Sequence, residues 1–259
     1  MREELERIGE ALQEALAVLR RFTPGDVAAR RKSGDDPVTE ADTQVDTLLR
    51  RLLPREGEGW LSEETTDDPS RLERRRVWVV DPLDGTREFV EGVPEWAVSI
   101  GFVVDGEPVA GGICNPATSE LILGAKGMGV TLNGQPARVS ARESLGDATV
   151  VGSRSEVKRG EWEGYRDGAF HFRPTGSVAY KLGLVAAGLV DATWTLTPKH
   201  EWDVAAGVAL VRAAGGVVFP DEPFNRPKPK LTSLIAAPPQ LLPQIQEEIA
   251  WRERALAAR

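Results

Sequence analysis

Val77-Trp78-Val79-Val80-Asp81-Pro82-Leu83-Asp84-Gly85-Thr86 runs from four apolar residues straight into two carboxylates. The β-branched and aromatic run reads as a buried strand, and the carboxyl end of a buried strand is where ligands bind in layered α/β folds. Pro82 fixes the turn, so the two aspartates can converge on a hard cation. Gly85 lets the backbone approach an anionic group such as phosphate, whose oxygens take N–H groups from a helix starting there, and Thr86 adds a hydroxyl. An Asp-Gly pair alone would mean only a capped turn; the ten-residue string is more specific.

Upstream, Leu5, Ile8, Leu12, Leu16 and Leu19 recur at helical spacing, and that helix ends near Thr23-Pro24-Gly25. A second helix opens at Thr39, with Asp42 completing a capping box, Val45, Leu48, Leu49 and Leu52 as its buried stripe, and Pro54 as its stop. Residues 55–76 are mostly charged or small and read as a mobile surface segment, able to fold over the site when a metal binds, except for a short strand at Trp60-Leu61-Ser62. Downstream, three or four antiparallel strands are expected between Trp96 and Ala137, with turns at Asp105-Gly106 and Asn133-Gly134. The first half is therefore α+β.

From Thr149 onward the pattern alternates: strand 149–152, helix Val178–Ala187, strand Val190–Trp194, helix 203–214, strands 217–219 and 234–237, and a final helix, with an exposed loop over 220–230. This half reads as α/β and layered on the first, with the division at 1–146 and 147–259. No internal repeat appears.

Composition narrows the chemistry. The chain has 259 residues, 41% of them hydrophobic, which is enough for a sizeable core. A net charge of -8 argues against a surface built for nucleic acid or an anionic membrane, and an acidic protein handling an anion must find local positive charge, for which metal ions serve. One cysteine, Cys114, allows no internal disulfide; the charged N-terminal stretch is unlike a signal peptide, and no apolar run could span a bilayer, so a cytoplasmic location is expected.

Further stations stand in order along the chain: Pro37-Val38-Thr39-Glu40-Ala41-Asp42 with Asp46 beyond it, Ser62-Glu63-Glu64-Thr65, and Glu201-Trp202-Asp203-Val204-Ala205-Ala206-Gly207. In isolation Asp42 is a capping-box member, Glu63 a solvated charge and Asp203 a helix N-cap. Together with Asp81–Thr86, over nearly the whole chain, they resemble the inositol monophosphatase superfamily of lithium-sensitive phosphatases. The resemblance implies an α+β / α/β layered sandwich (αβαβα) of the sugar phosphatase type, and a phosphomonoesterase dependent on two or three Mg²⁺ ions. By position it implies Glu63, Asp81, Asp84 and Asp203 as metal ligands with the Leu83 carbonyl, Asp42 and Thr86 as the pair that activates water alongside Glu63, and Gly85 and Thr86 as backbone donors to phosphate. Homodimers are common in the family.

Substrate contacts are expected from the second half, where Thr175-Gly176-Ser177 precedes a helix whose N–H groups would be free near the leaving group, and from Lys181, with Asp84 and Asp203 also reaching the phosphate. Arg87-Glu88-Phe89, Ser153-Arg154-Ser155, Lys181 and Pro198 look like the bacterial 3'(2'),5'-bisphosphate nucleotidase branch, whereas residues 92–101, Gly-Val-Pro-Glu-Trp-Ala-Val-Ser-Ile-Gly, resemble the inositol and histidinol phosphatase branch. Thr195 stands near where inositol-specific members carry a glutamate. The balance leans to the nucleotidase, with an inositol, histidinol or sugar phosphate as the alternative. A non-catalytic metal or phosphate sensor would be expected to have lost Asp42, Thr86 or a ligand, and all are present. The two histidines are His171 and His200, and His200 reads as a packing or surface residue beside the Asp203 motif.

Overall fold

Alternation along one strand sets the layering. The computed structural model describes residues 1–31, 37–165 and 167–257. In β4 (Arg76–Asp84), Trp78 and Val80 join one core with α1 (Arg2–Leu19) and α2 (Glu40–Leu52), while Val77 and Val79 join another with α5 (Val178–Ala186) and α6 (Glu201–Ala213). Successive side chains of a strand point to opposite faces, so both faces of this strand are covered by helices.

After the short ladder of β1 (Ala29–Arg31) and β2 (Pro37–Thr39), the chain builds a seven-stranded sheet: β3 (Gly59–Ser62), β4, β5 (Ala97–Val104), β6 (Glu107–Asn115), β7 (Glu120–Ala125), β8 (Gly129–Leu132) and β9 (Gln135–Ala137). Only the β3–β4 pair is parallel; the remainder is an antiparallel meander. Five strands thus follow Trp96 where three or four were expected. The turns entering β7 and β8 pass through Ser119 and Gly127, both at positive φ, without the Asn-Gly or Asp-Gly signature that marks the other two.

The second sheet has the order β11 (His171–Thr175), β10 (Thr149–Ser153), β12 (Ala192–Trp194), β16 (Ile235–Ala237), β14 (Val217–Phe219), with parallel pairing at β10–β11 and β10–β12. The edge strand β11 was not foreseen; its Arg173 and Pro174 break the apolar pattern. A two-residue pair, β13 (Lys199–His200) and β15 (Lys230–Leu231), stands apart. Val150, Ala192, Trp194 and Ile235 pack outward on Leu241 and Ile245, at the start of α7 (Leu242–Ala257), whereas Val151 and Ala236 pack inward with α5 and α6. The layers are therefore helices, sheet, helices, sheet, helix, the expected αβαβα sandwich. The short helices α3 (Thr86–Glu91) and α4 (Arg154–Lys158) follow β4 and β10 directly.

α6 lies close on the large sheet because β5 and β6 present glycines to it: a Cβ on Gly111 would stand 2.5 Å from the Ala206 carbonyl oxygen, and one on Gly101 2.8 Å from Ala205 Cβ. This approach fixes the depth at which the first turn of α6 meets the end of β4.

Two expectations of loose surface are corrected. Residues 55–76 are pinned by Glu58, which accepts from Arg7 and the Trp78 indole, and by Arg71, only 1% exposed, which binds Asp67, Asn225 and the Arg226 carbonyl. The loop over 220–230 buries Phe224 and gives the Asn225 and Arg226 N–H groups to buried Glu201. A charged sequence signals solvent only until its charges find partners. Among the described residues no helix is long and apolar enough to cross a membrane.

Candidate active site

Three aspartates meet in a cleft of about 440 Å³. β4 pairs Asp81 with Ser99 and Asp84 with Ala97, so a register shift lies between them, and bulges of this kind re-aim side chains beside functional sites. Asp81 continues the face of Val77 and Val79, the face on which α6 packs. Asp203 arrives on the first turn of α6, which begins at Glu201, two residues earlier than expected. One carboxylate oxygen from each of Asp81, Asp84 and Asp203 lies within 4.8 Å of the others. Glu63 lines the same cleft, and its N–H donates at 3.3 Å to the carbonyl of Val80, the residue before Asp81.

Each carboxylate is oriented by donors. Asp81 accepts from the Leu83 N–H at 3.0 Å, Asp203 from the His200 N–H at 2.8 Å, and Asp84 from the Ser177 hydroxyl and the Ala179 N–H, both at 2.6 Å. Burial pushes the Asp81 carboxyl well above the usual carboxylate range, and the charges of Glu63, Asp84 and Asp203 push the same way; burial and neighbouring charge do the same to Asp203. Burial also raises Asp84, against its two hydrogen bonds. Such a cluster either keeps protons or is neutralised by cations. Its donors are all oxygen, carboxylates with the Leu83 carbonyl beside them, and fit a hard divalent ion rather than a soft one.

Beside the cluster, the Thr86 hydroxyl stands 2.9 Å from Asp42 Oδ1 and 3.0 Å from the Leu83 carbonyl oxygen. Asp42 is buried, and its Oδ2 accepts both the N–H and the hydroxyl of Thr39, at 2.8 and 2.6 Å. Burial raises the Asp42 carboxyl against these hydrogen bonds. Asp42 is thus a capping-box member and the acceptor of Thr86 at once. Gly85 starts α3 at φ 95°, and a Cβ there would meet the Glu95 carbonyl oxygen at 2.9 Å, so only glycine fits. Asp46 accepts the hydroxyls of Ser62 and Thr65, at 2.5 and 2.6 Å, and so holds the turn that carries Glu63.

The second half contributes differently from the expectation. Three N–H groups at the start of α5 are already engaged: Gly176 donates to Glu95, Ala179 to Asp84 and Tyr180 to the Ser177 hydroxyl. Ser177 takes φ 54°, an uncommon conformation for a side-chain-bearing residue, secured by these bonds. Lys181 is buried; its ammonium donates to the Thr175 and Ser177 carbonyls, and burial lowers it to about 8. Gly176, Ser177 and Lys181 all line the cleft. His200 does too, stacked on Trp202 with ring centroids 4.4 Å apart. Thr197 and Lys199 also line the cleft and were not singled out in the sequence, where the signal was their proximity to Glu201-Trp202-Asp203.

The fold and the cleft define the class: a layered α/β phosphatase, a hydrolase acting on phosphomonoesters. The chain belongs to the inositol monophosphatase family, whose model matches residues 1–251. It is 36% identical over 194 residues to an inositol-1-monophosphatase of Rhizobium meliloti, covering 71% of this chain and 72% of that protein. It is 33% identical over 196 residues to a fructose-1,6-bisphosphatase/inositol-1-monophosphatase of Thermotoga maritima, covering 73% of each. Among solved structures, the extragenic suppressor protein suhB of Bartonella henselae superposes with a TM-score of 0.80 at 30% identity, over 95% of this chain and 97% of that one. Catalysis in this family is metal-dependent.

Proposed function

We propose that the chain hydrolyses the phosphomonoester of a small polyol or sugar, inositol 1-phosphate first, with Mg²⁺ held by Glu63, Asp81, Asp84, Asp203 and the Leu83 carbonyl. The observation that carries this reading is the meeting of two aspartates of β4 with Asp203 of the sequence-distant α6, beside a threonine hydroxyl with a buried carboxylate acceptor. The relatives' names support a polyol phosphate over the nucleotide bisphosphate favoured by the sequence.

Divalent ions bound in such a cluster supply Lewis-acid polarisation of the phosphoryl group and acidify the attacking water. On the protein side, Thr86 Oγ1 takes the water's proton as its own passes to Asp42 Oδ1, whose burial raises its affinity for that proton. Hydroxide adds to phosphorus in line, the bond to the leaving oxygen breaks, and the alkoxide takes a proton from solvent. Backbone N–H groups of Gly85 and Thr86 receive the phosphate oxygens, while Lys181 and the fixed Gly176-Ser177 turn shape the wall beside them.

Phosphate release from inositol 1-phosphate, histidinol phosphate, fructose 1,6-bisphosphate and adenosine 3',5'-bisphosphate tests this. We expect Mg²⁺-dependent release from inositol 1-phosphate, with Asp84→Asn slower by about 10²–10³-fold or more. No Mg²⁺-dependent release from any of the four, or full activity in the variant, would refute the site; strong preference for the adenosine substrate would restore the nucleotidase reading.

A further inference from the structure

One wall of the cleft carries the opposite charge to the aspartate cluster. Lys199, Arg159 and Lys230 line it together with Ser153, Ser155 and Thr197, and the Arg159 guanidinium is held by Glu161 at 2.6 Å. The carboxylates that line the cleft come from elsewhere, from Glu63, the β4–α3 segment and Asp203.

Behind this wall, Glu156 is completely buried. Its Oε1 accepts from the Leu196 N–H at 3.2 Å, the Thr197 hydroxyl at 3.0 Å and the Lys199 ammonium at 3.2 Å, and its Oε2 from the Trp162 indole at 3.1 Å. Trp162 is itself fixed among Phe172, Trp194 and Tyr165, with ring centroids 4.4 to 5.6 Å away. Lys199 also donates to Thr197 Oγ1 at 2.8 Å. Its side chain is only 14% exposed, so a normally flexible lysine is fixed at two of its three N–H bonds and has already lost its rotamer entropy before any ligand arrives. A buried carboxylate is costly to keep, and removing it would leave this lysine free to swing into solvent.

We propose that Lys199, positioned by Glu156 and Thr197, is a specificity-determining residue that receives a second anionic group, a phosphate, carried by the leaving group. Lys230, on the strand paired with that of Lys199, adds a second cation to the same wall. The inference rests on the phosphomonoesterase reading and adds to it that, besides inositol 1-phosphate, the cleft accepts an ester whose leaving group carries a second phosphate, through Lys199.

The test compares KM for fructose 1,6-bisphosphate and adenosine 3',5'-bisphosphate with KM for inositol 1-phosphate. Lys199→Met raises the ratio of bisphosphate KM to inositol 1-phosphate KM by about ten- to hundredfold for at least one of the two bisphosphates, the loss of one charge-assisted contact. Which bisphosphate responds identifies the sugar or the nucleotide as the source. Lys199→Arg restores most of the ratio, and Glu156→Gln moves it in the same direction by less. Should Lys199→Met not fold, the wild-type ratio is followed with KCl: screening of a cationic wall raises it as ionic strength rises. An unchanged ratio in Lys199→Met, equal losses on all three substrates, or a wild-type ratio indifferent to salt would overturn the proposal. Absence of Mg²⁺-dependent release from every substrate would instead refute the phosphatase reading beneath it.

Discussion

The Thr86 hydroxyl lies 2.9 Å from Asp42 and 3.0 Å from the Leu83 carbonyl, and its one proton can go to only one of them at a time. If the proton passes to Asp42 during turnover, Thr86→Ala lowers kcat by about 10²–10⁴-fold, Thr86→Ser keeps much of the activity, and neither removes stabilisation by Mg²⁺. Steady-state phosphate release and thermal melts with and without Mg²⁺ separate these effects; a fully active Thr86→Ala would remove the hydroxyl from the mechanism. Gly85 makes a conformational rather than a chemical contribution. Gly85→Ala puts a Cβ against the Glu95 carbonyl in a left-handed backbone, which costs at least about 1–2 kcal/mol in unfolding free energy. Chemical denaturation measures it directly. Asp42 and Thr86 were legible in the sequence because their motifs are local, and Thr39 with Asp42 reads as a capping box on spacing alone. That the same Asp42 oxygen pair also meets Thr86, 44 residues away, is a tertiary fact.

Elements deliver these residues. The alternation in β4 sends Asp81 to the α6 side, and the bulge after it lets Asp84 join the same cluster. The strand and its two carboxylates could be read directly, whereas the extra strands of the meander could not, since a turn entered through Ser119 has no signature. Residues 55–76 show how charge misleads: Arg71 reads as a solvated surface residue, yet it is buried and ties the Glu63 segment to Asn225 and Arg226. Arg71→Met should cost roughly 1.5–3 kcal/mol, the worth of hydrogen bonds to a buried charge. It should also expose residues 63–75 to proteolysis. A variant as stable and as protease-resistant as the parent would show that other contacts hold the segment.

At the scale of the whole molecule, a metal held by the carboxylate cluster, as proposed, would link metal binding to proton binding. Asp81 and Asp203 have folded-state pKa values raised by burial and by one another. The folded chain therefore binds more protons than the unfolded chain above the ordinary carboxylate pKa of about 4, and this contribution to stability falls as pH rises through that window. Divalent cations bound there would replace those protons. Melting temperatures in EDTA and in Mg²⁺ should accordingly diverge with increasing pH, from a small gap near pH 5 to a larger one at pH 8. A gap independent of pH would separate metal binding from the cluster.

Short motifs by themselves pointed to the family through resemblance, and local pattern marked the strand that runs into Asp81 and Asp84 and the capping box of Thr39 and Asp42, because these depend on spacings of a few residues. Only the tertiary structure decided that the Gly176 and Ala179 N–H groups are spent on Glu95 and Asp84, that the charged segments are anchored, and that Glu156 fixes Lys199 in the cleft. Those outcomes depend on partners brought together from 43 to 155 positions away. Whether a charge or an N–H is free is settled by which partner reaches it, and no spacing along the chain encodes that.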